Sequence, residues 1–201
     1  MYQELTRDYA IREHEGKAKE FAERSLAQLD RMSWLVGNLL RLARLESGQT
    51  ELDLRPRDLR STLSETIGLM RGKAEERSLI LEANLPSAEV RMDHDPDWLR
   101  EALSNLIENA LNHSPPGGTV RIHLVETTVF ARISVEDEGP GVKPEDVPLL
   151  FQRFRRGGAG GPDTGTGLGL TLVKAIVDRH QGVVGARGST FTVTLPKLTK
   201  L

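Results

Sequence analysis

The sequence contains no cysteine, which excludes disulfides, thiolate metal sites and cysteine nucleophiles and is compatible with a reducing cytosol. No apolar run approaches the roughly 20 residues of a membrane span, and nothing at the N-terminus reads as a signal peptide. If the parent protein is membrane-bound, its anchor lies outside this chain. Neither sign of charge is in large excess. Lys and Arg number 27 and Asp and Glu 29, a formal net charge of -2, which argues against a general nucleic-acid or anionic-membrane binder. The first 49 residues lack proline altogether and hold only three glycines, Gly16, Gly37 and Gly48.

What is present fits a globular protein with one full domain and a smaller piece: 201 residues, 38% of them hydrophobic and 28% charged. From Ala22 a three-four spacing runs through Ser25, Leu29, Met32, Val36, Leu39 and Ala43, widened by Leu35, Leu40 and Leu42. This is a long amphipathic helix whose apolar face is broader than a two-stranded seam. It needs a partner, either its own domain or another helix in a hairpin or intermolecular bundle, and the bundle is the expectation. The helix is expected to stop near Ser47-Gly48.

Beyond it the elements mix. Residues 51–55 read as a short strand or linker ending at Pro56. Asp58 is placed to N-cap a helix running to about Arg77. Residues 79–81 and 89–92 read as strands flanking a Pro86 turn, and Asp95-Pro96 opens a helix to about Asn112. Residues 119–126 and 129–136 alternate as a hairpin, with Val120, Ile122 and Leu124 on one face and Ala131, Ile133 and Val135 on another. Residues 139–167 are loop-like, which inside a compact domain marks function or mobility. A helix over about 168–180 and a hairpin over the Arg187-Gly188 turn complete the chain. The order predicts an α+β sandwich with helices on one face of a mixed sheet.

Three segments carry chemistry. In Asn105-Leu106-Ile107-Glu108-Asn109-Ala110-Leu111-Asn112-His113, the polar residues Asn105, Glu108, Asn109 and Asn112 share one helix face. Amide oxygens are hard ligands suited to Mg²⁺, although a polar face near a cap has the same pattern. Asp137-Glu138-Gly139-Pro140-Gly141 follows a strand. Its glycines permit close backbone approach to a ligand, and its carboxylate can accept from an exocyclic amine, though an ordinary turn would look the same. Gly165-Thr166-Gly167-Leu168-Gly169-Leu170 leads alternating glycines into a helix, where backbone N–H groups can face phosphate. It is neither the dinucleotide fingerprint nor a P-loop.

Their order resolves them. Asparagine helix, strand-Asp-x-Gly-x-Gly, lid and Gly-x-Gly-x-Gly together resemble the N, G1 and G2 boxes of the GHKL superfamily. Phe151-Gln152-Arg153-Phe154-Arg155-Arg156 between them resembles the F box of sensor histidine kinases. The segment 38–48, Asn38-Leu39-Leu40-Arg41-Leu42-Ala43-Arg44-Leu45-Glu46-Ser47-Gly48, resembles the second helix of those kinases' dimerisation domain. The resemblance implies a Bergerat-type sandwich over residues 50–201, preceded by a helical dimerisation region at 1–49. It implies ATP and Mg²⁺ as cofactors, with Asn109 binding Mg²⁺ and Asn105 helping from one turn earlier. Asp137 would recognise the adenine amine in a pocket shaped by Gly139 and Gly141. Gly165, Thr166, Gly167, Leu168, Gly169 and Leu170 would hold the phosphates, and Arg156 would reach them from the lid. Phe151 and Phe154 would anchor the lid on apolar surface. Glu108 sits where hydrolytic relatives carry a general base.

The implied activity is transfer of the γ-phosphoryl of Mg·ATP to a histidine, for relay to a response-regulator receiver domain. The implied setting is a cytoplasmic homodimer, or the cytosolic part of an inner-membrane sensor. The sequence departs from the family in two places. Asn112 and His113 stand where Lys and Tyr are frequent, so a phosphate contact is missing or comes from Arg153 or Arg155, and His113 either meets phosphate or caps the helix. The phosphoacceptor motif is absent: the sole His-Glu, His14-Glu15, runs into Gly16-Lys17-Ala18-Lys19 and reads as a solvated helix position. Either the acceptor lies outside this chain or the protein has none of its own. The competing readings are a GHKL-type ATPase, a protein serine kinase, or a non-catalytic dimeric regulator.

Overall fold

A computed structural model describes residues 2–48, 50–153 and 167–197. The chain divides between Leu40 and Arg41 into two compact units. Residues 2–40 belong to helix α1 (Tyr2–Glu46), and Gly48 follows its end with φ of 70°, the left-handed conformation that suits a helix stop. Leu26, Leu29, Met32, Val36 and Leu40 are exposed along α1, while Lys19–Glu23 and Glu20–Arg24 pair at i,i+4. No helix among the described residues is long and apolar enough to cross a membrane.

The second unit begins with the last turns of α1. Leu45 joins its core, and Arg41 pairs with Glu101 at 2.5 Å. Then come β1 (Arg55–Asp58), α2 (Leu59–Glu76), β2 (Ile80–Asn84), β3 (Arg91–His94), α3 (Pro96–His113), β4 (Thr119–Glu126), β5 (Phe130–Glu136), a single turn α4 (Val147–Leu150), α5 (Gly169–Arg179), β6 (Val183–Arg187) and β7 (Thr190–Pro196). The first strand lies later than the alternation of 51–55 predicts and runs through Pro56. A proline fits there because, among the described residues, β1 pairs only with β3, so one edge needs no donor.

The main sheet has the order β2-β4-β5-β7-β6 and is mixed: β2 runs parallel to β4, and the other neighbours are antiparallel. Ile122 lies opposite Val135 and Leu124 opposite Ile133, so the two apolar sets of the hairpin share one side of the sheet. Phe191, Val193 and Leu195 extend that side, and α2, α3 and α5 cover it with Leu63, Ile67, Leu103, Leu106, Leu172 and Ile176. The other side presents Arg121, His123, Arg132, Ser134, Thr192 and Thr194. Helices on one face of a mixed sheet is the expected architecture.

Two helix starts are capped as expected. Asp58 accepts from the Arg60 amide at 3.1 Å and the Val90 amide at 3.0 Å. Asp95 accepts from the amides of Asp97 and Trp98 at 3.1 and 3.2 Å. Next to the second cap lie two buried histidines, His94 and His180. His94 donates from Nδ1 to the Met92 carbonyl and meets the Thr62 hydroxyl at 2.9 Å through Nε2. Burial holds both imidazoles below their ordinary value of 6.5.

The unfolded chain therefore binds protons that the folded chain refuses once the pH drops below 6.5. The contribution to stability is full above that value and declines below it, toward the lower folded values. Thermal midpoints measured from about pH 8 down to about pH 5 are expected to fall in the acidic half of that range. Ile133→Ala, which empties a fully buried position on the central strand, is expected to cost about 2–5 kcal/mol in denaturant unfolding.

Candidate functional site

Helix α3 builds the site because its two faces differ. Leu99, Leu103, Leu106, Ile107 and Leu111 are buried, and Asn105, Glu108, Asn109 and Asn112 lie half-buried on the flank left over. Asn105 donates to the Glu101 carbonyl at 2.9 Å, which fixes its carboxamide. Among the described residues the carboxamides of Asn109 and Asn112 make no hydrogen bond, so their oxygens are available to a ligand. Glu108 is paired with Lys73 of α2 at 3.0 Å. Sequence reading missed that partner, 35 residues away, because nothing local in α2 announces it.

Close backbone packing brings the glycine segments to this helix. A Cβ on Gly169 would lie 2.9 Å from Asn105 Oδ1, so a larger residue there would require the Asn105 carboxamide to shift. A Cβ on Gly139 would lie 2.5 Å from the His113 carbonyl oxygen, so the Asp-x-Gly-x-Gly turn rests on the C-terminal end of α3. Gly141, at φ 69°, packs on the β6–β7 turn, where Val142 N–H donates to the Gly188 carbonyl at 2.8 Å. Glu138 in the same turn is held by Arg121 at 3.0 Å.

Asp137 is buried, 5% exposed, and accepts from the Gly139 amide at 2.8 Å. Burial raises its carboxyl above the ordinary 3.8, against smaller opposing pulls from the Gly139 N–H and the nearby His113. His113 itself is exposed, and the α3 end is closed by Ser114, whose amide donates to the Ala110 carbonyl at 3.0 Å.

Helix α5 differs from α2 and α3 at its start. Leu168, buried, occupies the N-cap position and supplies no side-chain hydrogen bond, and Gly167 before it has φ 71°. The first amides of α5 are thus left without a capping side chain beside Asn105, the arrangement that receives an anion. The described part of the lid is anchored: Leu150 is buried, Phe151 packs on the core and Arg153 forms an ion pair with Glu46. Phe154, Arg155, Arg156, Gly165 and Thr166 lie outside the described residues, and so does the side chain of His14. No group of three or more His, Cys, Asp or Glu suited to a metal occurs among the described residues. Asn105, Asn109 and Asn112 thus share one helix flank, Gly169 meets it beside Asn105, and Gly139 meets the helix end.

Comparison with known proteins places the chain in a family. The profile of the histidine kinase-, DNA gyrase B-, and HSP90-like ATPase family matches residues 94–199, more than half of the chain. The sensor-like histidine kinase SenX3 of Mycobacterium tuberculosis is 33% identical over 187 residues, covering 90% of this chain and 45% of its own length. The sensor histidine kinase CusS of Escherichia coli is 33% identical over 178 residues, covering 86% of this chain and 37% of its own. The chain thus spans less than half the length of these curated relatives. The crystal structure of full-length ShkA in complex with AMPPNP superposes with a TM-score of 0.74 at 29% identity, covering 85% of this chain and 37% of that one. With the asparagine helix and both glycine turns inside the matched segment, the chain belongs to the histidine kinase-, DNA gyrase B- and HSP90-like ATPase family.

Proposed function

We propose that this chain is the nucleotide-binding catalytic part of a sensor histidine kinase, which moves the γ-phosphoryl of ATP to a histidine imidazole for relay to an aspartate on a response-regulator receiver domain. The observation that carries this reading is the uncapped start of α5 set against Asn105, on the helix whose far end meets the Asp137 turn. A buried carboxyl suits the adenine amine, because it is desolvated and already oriented by the Gly139 amide. The amides of Gly167, Leu168, Gly169 and Leu170 suit phosphate oxygens.

Asn109 suits the divalent ion that accompanies the nucleotide. Among the described residues its carboxamide has no partner, and neutral amide oxygens leave the charge of the ion to be balanced by phosphates. When bound, Mg²⁺ supplies neutralisation of the polyphosphate charge. Everything else falls to the chain's own groups: holding the base, positioning the phosphates and excluding water. Arg156 is assigned to the phosphates from the lid. An ATP hydrolase would need Glu108 as general base, and its pairing with Lys73 at 3.0 Å works against that use.

Residues 1–49 are read as the dimerisation region and 50–201 as the ATP-binding domain. The exposed stripe of Leu26, Leu29, Met32, Val36 and Leu40 supports a homodimer through α1. A cytosolic location, as part of an inner-membrane sensor, follows from the same reading.

Mg·ATP at about one hundred times its Kd is expected to stabilise the chain by about 2.7 kcal/mol in thermal unfolding, and Asn109→Ala should lose that gain. Asp137→Asn separates stability from binding. The folded carboxyl titrates above its unfolded value, so its favourable contribution exists below 3.8 and disappears as the pH rises through the folded value. At neutral pH the variant without nucleotide should therefore melt higher than wild type, while its response to Mg·ATP is lost. With labelled ATP the chain alone is expected to incorporate little phosphate. Strong labelling that disappears in His14→Ala would overturn the reading of His14 as an ordinary helix position.

A further inference from the structure

His180 follows the last turn of α5, is 3% exposed, and lies at the end of its helix opposite Gly169. Its Nδ1 lies 2.8 Å from the Ile176 carbonyl, which can only accept, so Nδ1 carries the proton. Its Nε2 is then a lone-pair acceptor, and it takes the Asp95 backbone N–H at 3.1 Å. Asp95 is the N-cap of α3, and its other carboxylate oxygen accepts from the Asp53 amide at 2.9 Å. A side chain at the C-terminal end of α5 is thus tied to the N-terminal end of α3.

The same two helices touch again where Gly169, at the start of α5, meets Asn105 in the middle of α3. Along α3 the order is Asp95 then Asn105, and along α5 it is Gly169 then His180, so the helices run antiparallel with a contact at each end of α5. The spans are similar: at 1.5 Å per residue, the two stretches are about 15 and about 16.5 Å. The Gly169 contact is a close approach without a hydrogen bond that would resist sliding along the axis. The His180 hydrogen bond has direction and does resist it.

We propose that His180 is a positioning residue that sets the register of α5 on α3, and so places the Gly167–Leu170 amides relative to Asn105 and Asn109 from the far end of the helix pair. This inference rests on the nucleotide-site reading given above. A slip of one residue would carry those amides about 1.5 Å along the flank, enough to mismatch amides and carboxamides that must hold one ligand together.

The test uses the full 201-residue chain, with Mg·ATP affinity measured by calorimetry and amide exchange measured without nucleotide. His180→Leu removes the acceptor and is expected to raise the Kd about tenfold, with faster exchange at the hydrogen-bonded α5 amides of 172–176. His180→Gln returns an acceptor oxygen near the Nε2 position and should restore both readouts. Leu124→Ala, a buried β4 change outside both helices, serves as a general destabilisation control and should leave the Kd near wild type. The proposal is overturned if His180→Leu binds like wild type, if His180→Gln is as weak as His180→Leu, or if Leu124→Ala weakens binding as much. If wild type does not bind Mg·ATP, the nucleotide reading fails. The exchange data then decide the register claim separately: protection lost at 172–176 in His180→Leu alone supports it, and unchanged protection there refutes it.

Discussion

Helix α3 buries Leu99, Leu103, Leu106 and Ile107 while turning Asn105, Asn109 and Asn112 the other way, and the rest of the nucleotide domain is arranged around that division. The apolar side fixes the helix against the sheet and its neighbours. Because the core is close-packed, the helix cannot rotate or shift without opening a void, so the asparagines inherit a fixed position from the leucines behind them. Asparagine is a poor helix former, and three within eight residues weaken the helix unless packing carries it. The Asp95 cap and the Ser114 close supply further support at the two ends.

Two glycines then bring the other parts of the site against α3 by removing atoms rather than adding contacts. At Gly169 and Gly139 a single Cβ would collide with the Asn105 side chain and the His113 carbonyl. The start of α5 forgoes the side-chain cap that α2 and α3 possess, at a local cost in helix stability that a bound anion can offset. Asp137 carries a similar local cost: a carboxyl whose burial favours the neutral form is retained in the floor of the turn. Elsewhere ordinary folding rules hold, with paired surface charges and an alternating sheet.

Much of this was legible in the chain. Periodicity located α3 and the β4–β5 hairpin, Asp58 and Asp95 announced their helices, and Gly48 marked the end of α1, because each signal is local and of a few residues' range. Strand β1 was misplaced by a few residues because Pro56 reads as a stop, and only an unpaired edge makes it acceptable. The pairing of β2 with β4 rather than with β3 was not legible, since strand order depends on which faces the helices cover. The lysine that pairs with Glu108 and the glutamate that pairs with Arg153 were equally hidden, being 35 and 107 residues away.

By itself, the sequence determined the chemistry available: a carboxyl before two glycines, amides on one helix face, and alternating glycines at a helix start, in an order that identified the family. Local patterns suffice for that, because motifs are read from spacing along one chain. Only the tertiary structure decided the geometry. It placed Gly169 against Asn105 and Gly139 against His113, buried Asp137 enough to shift its carboxyl, and tied His180 to Asp95 across 85 residues. Those contacts arise from the mutual packing of α3, α5 and the sheet. No single segment specifies that packing, because each element's position is set by the surfaces of the others.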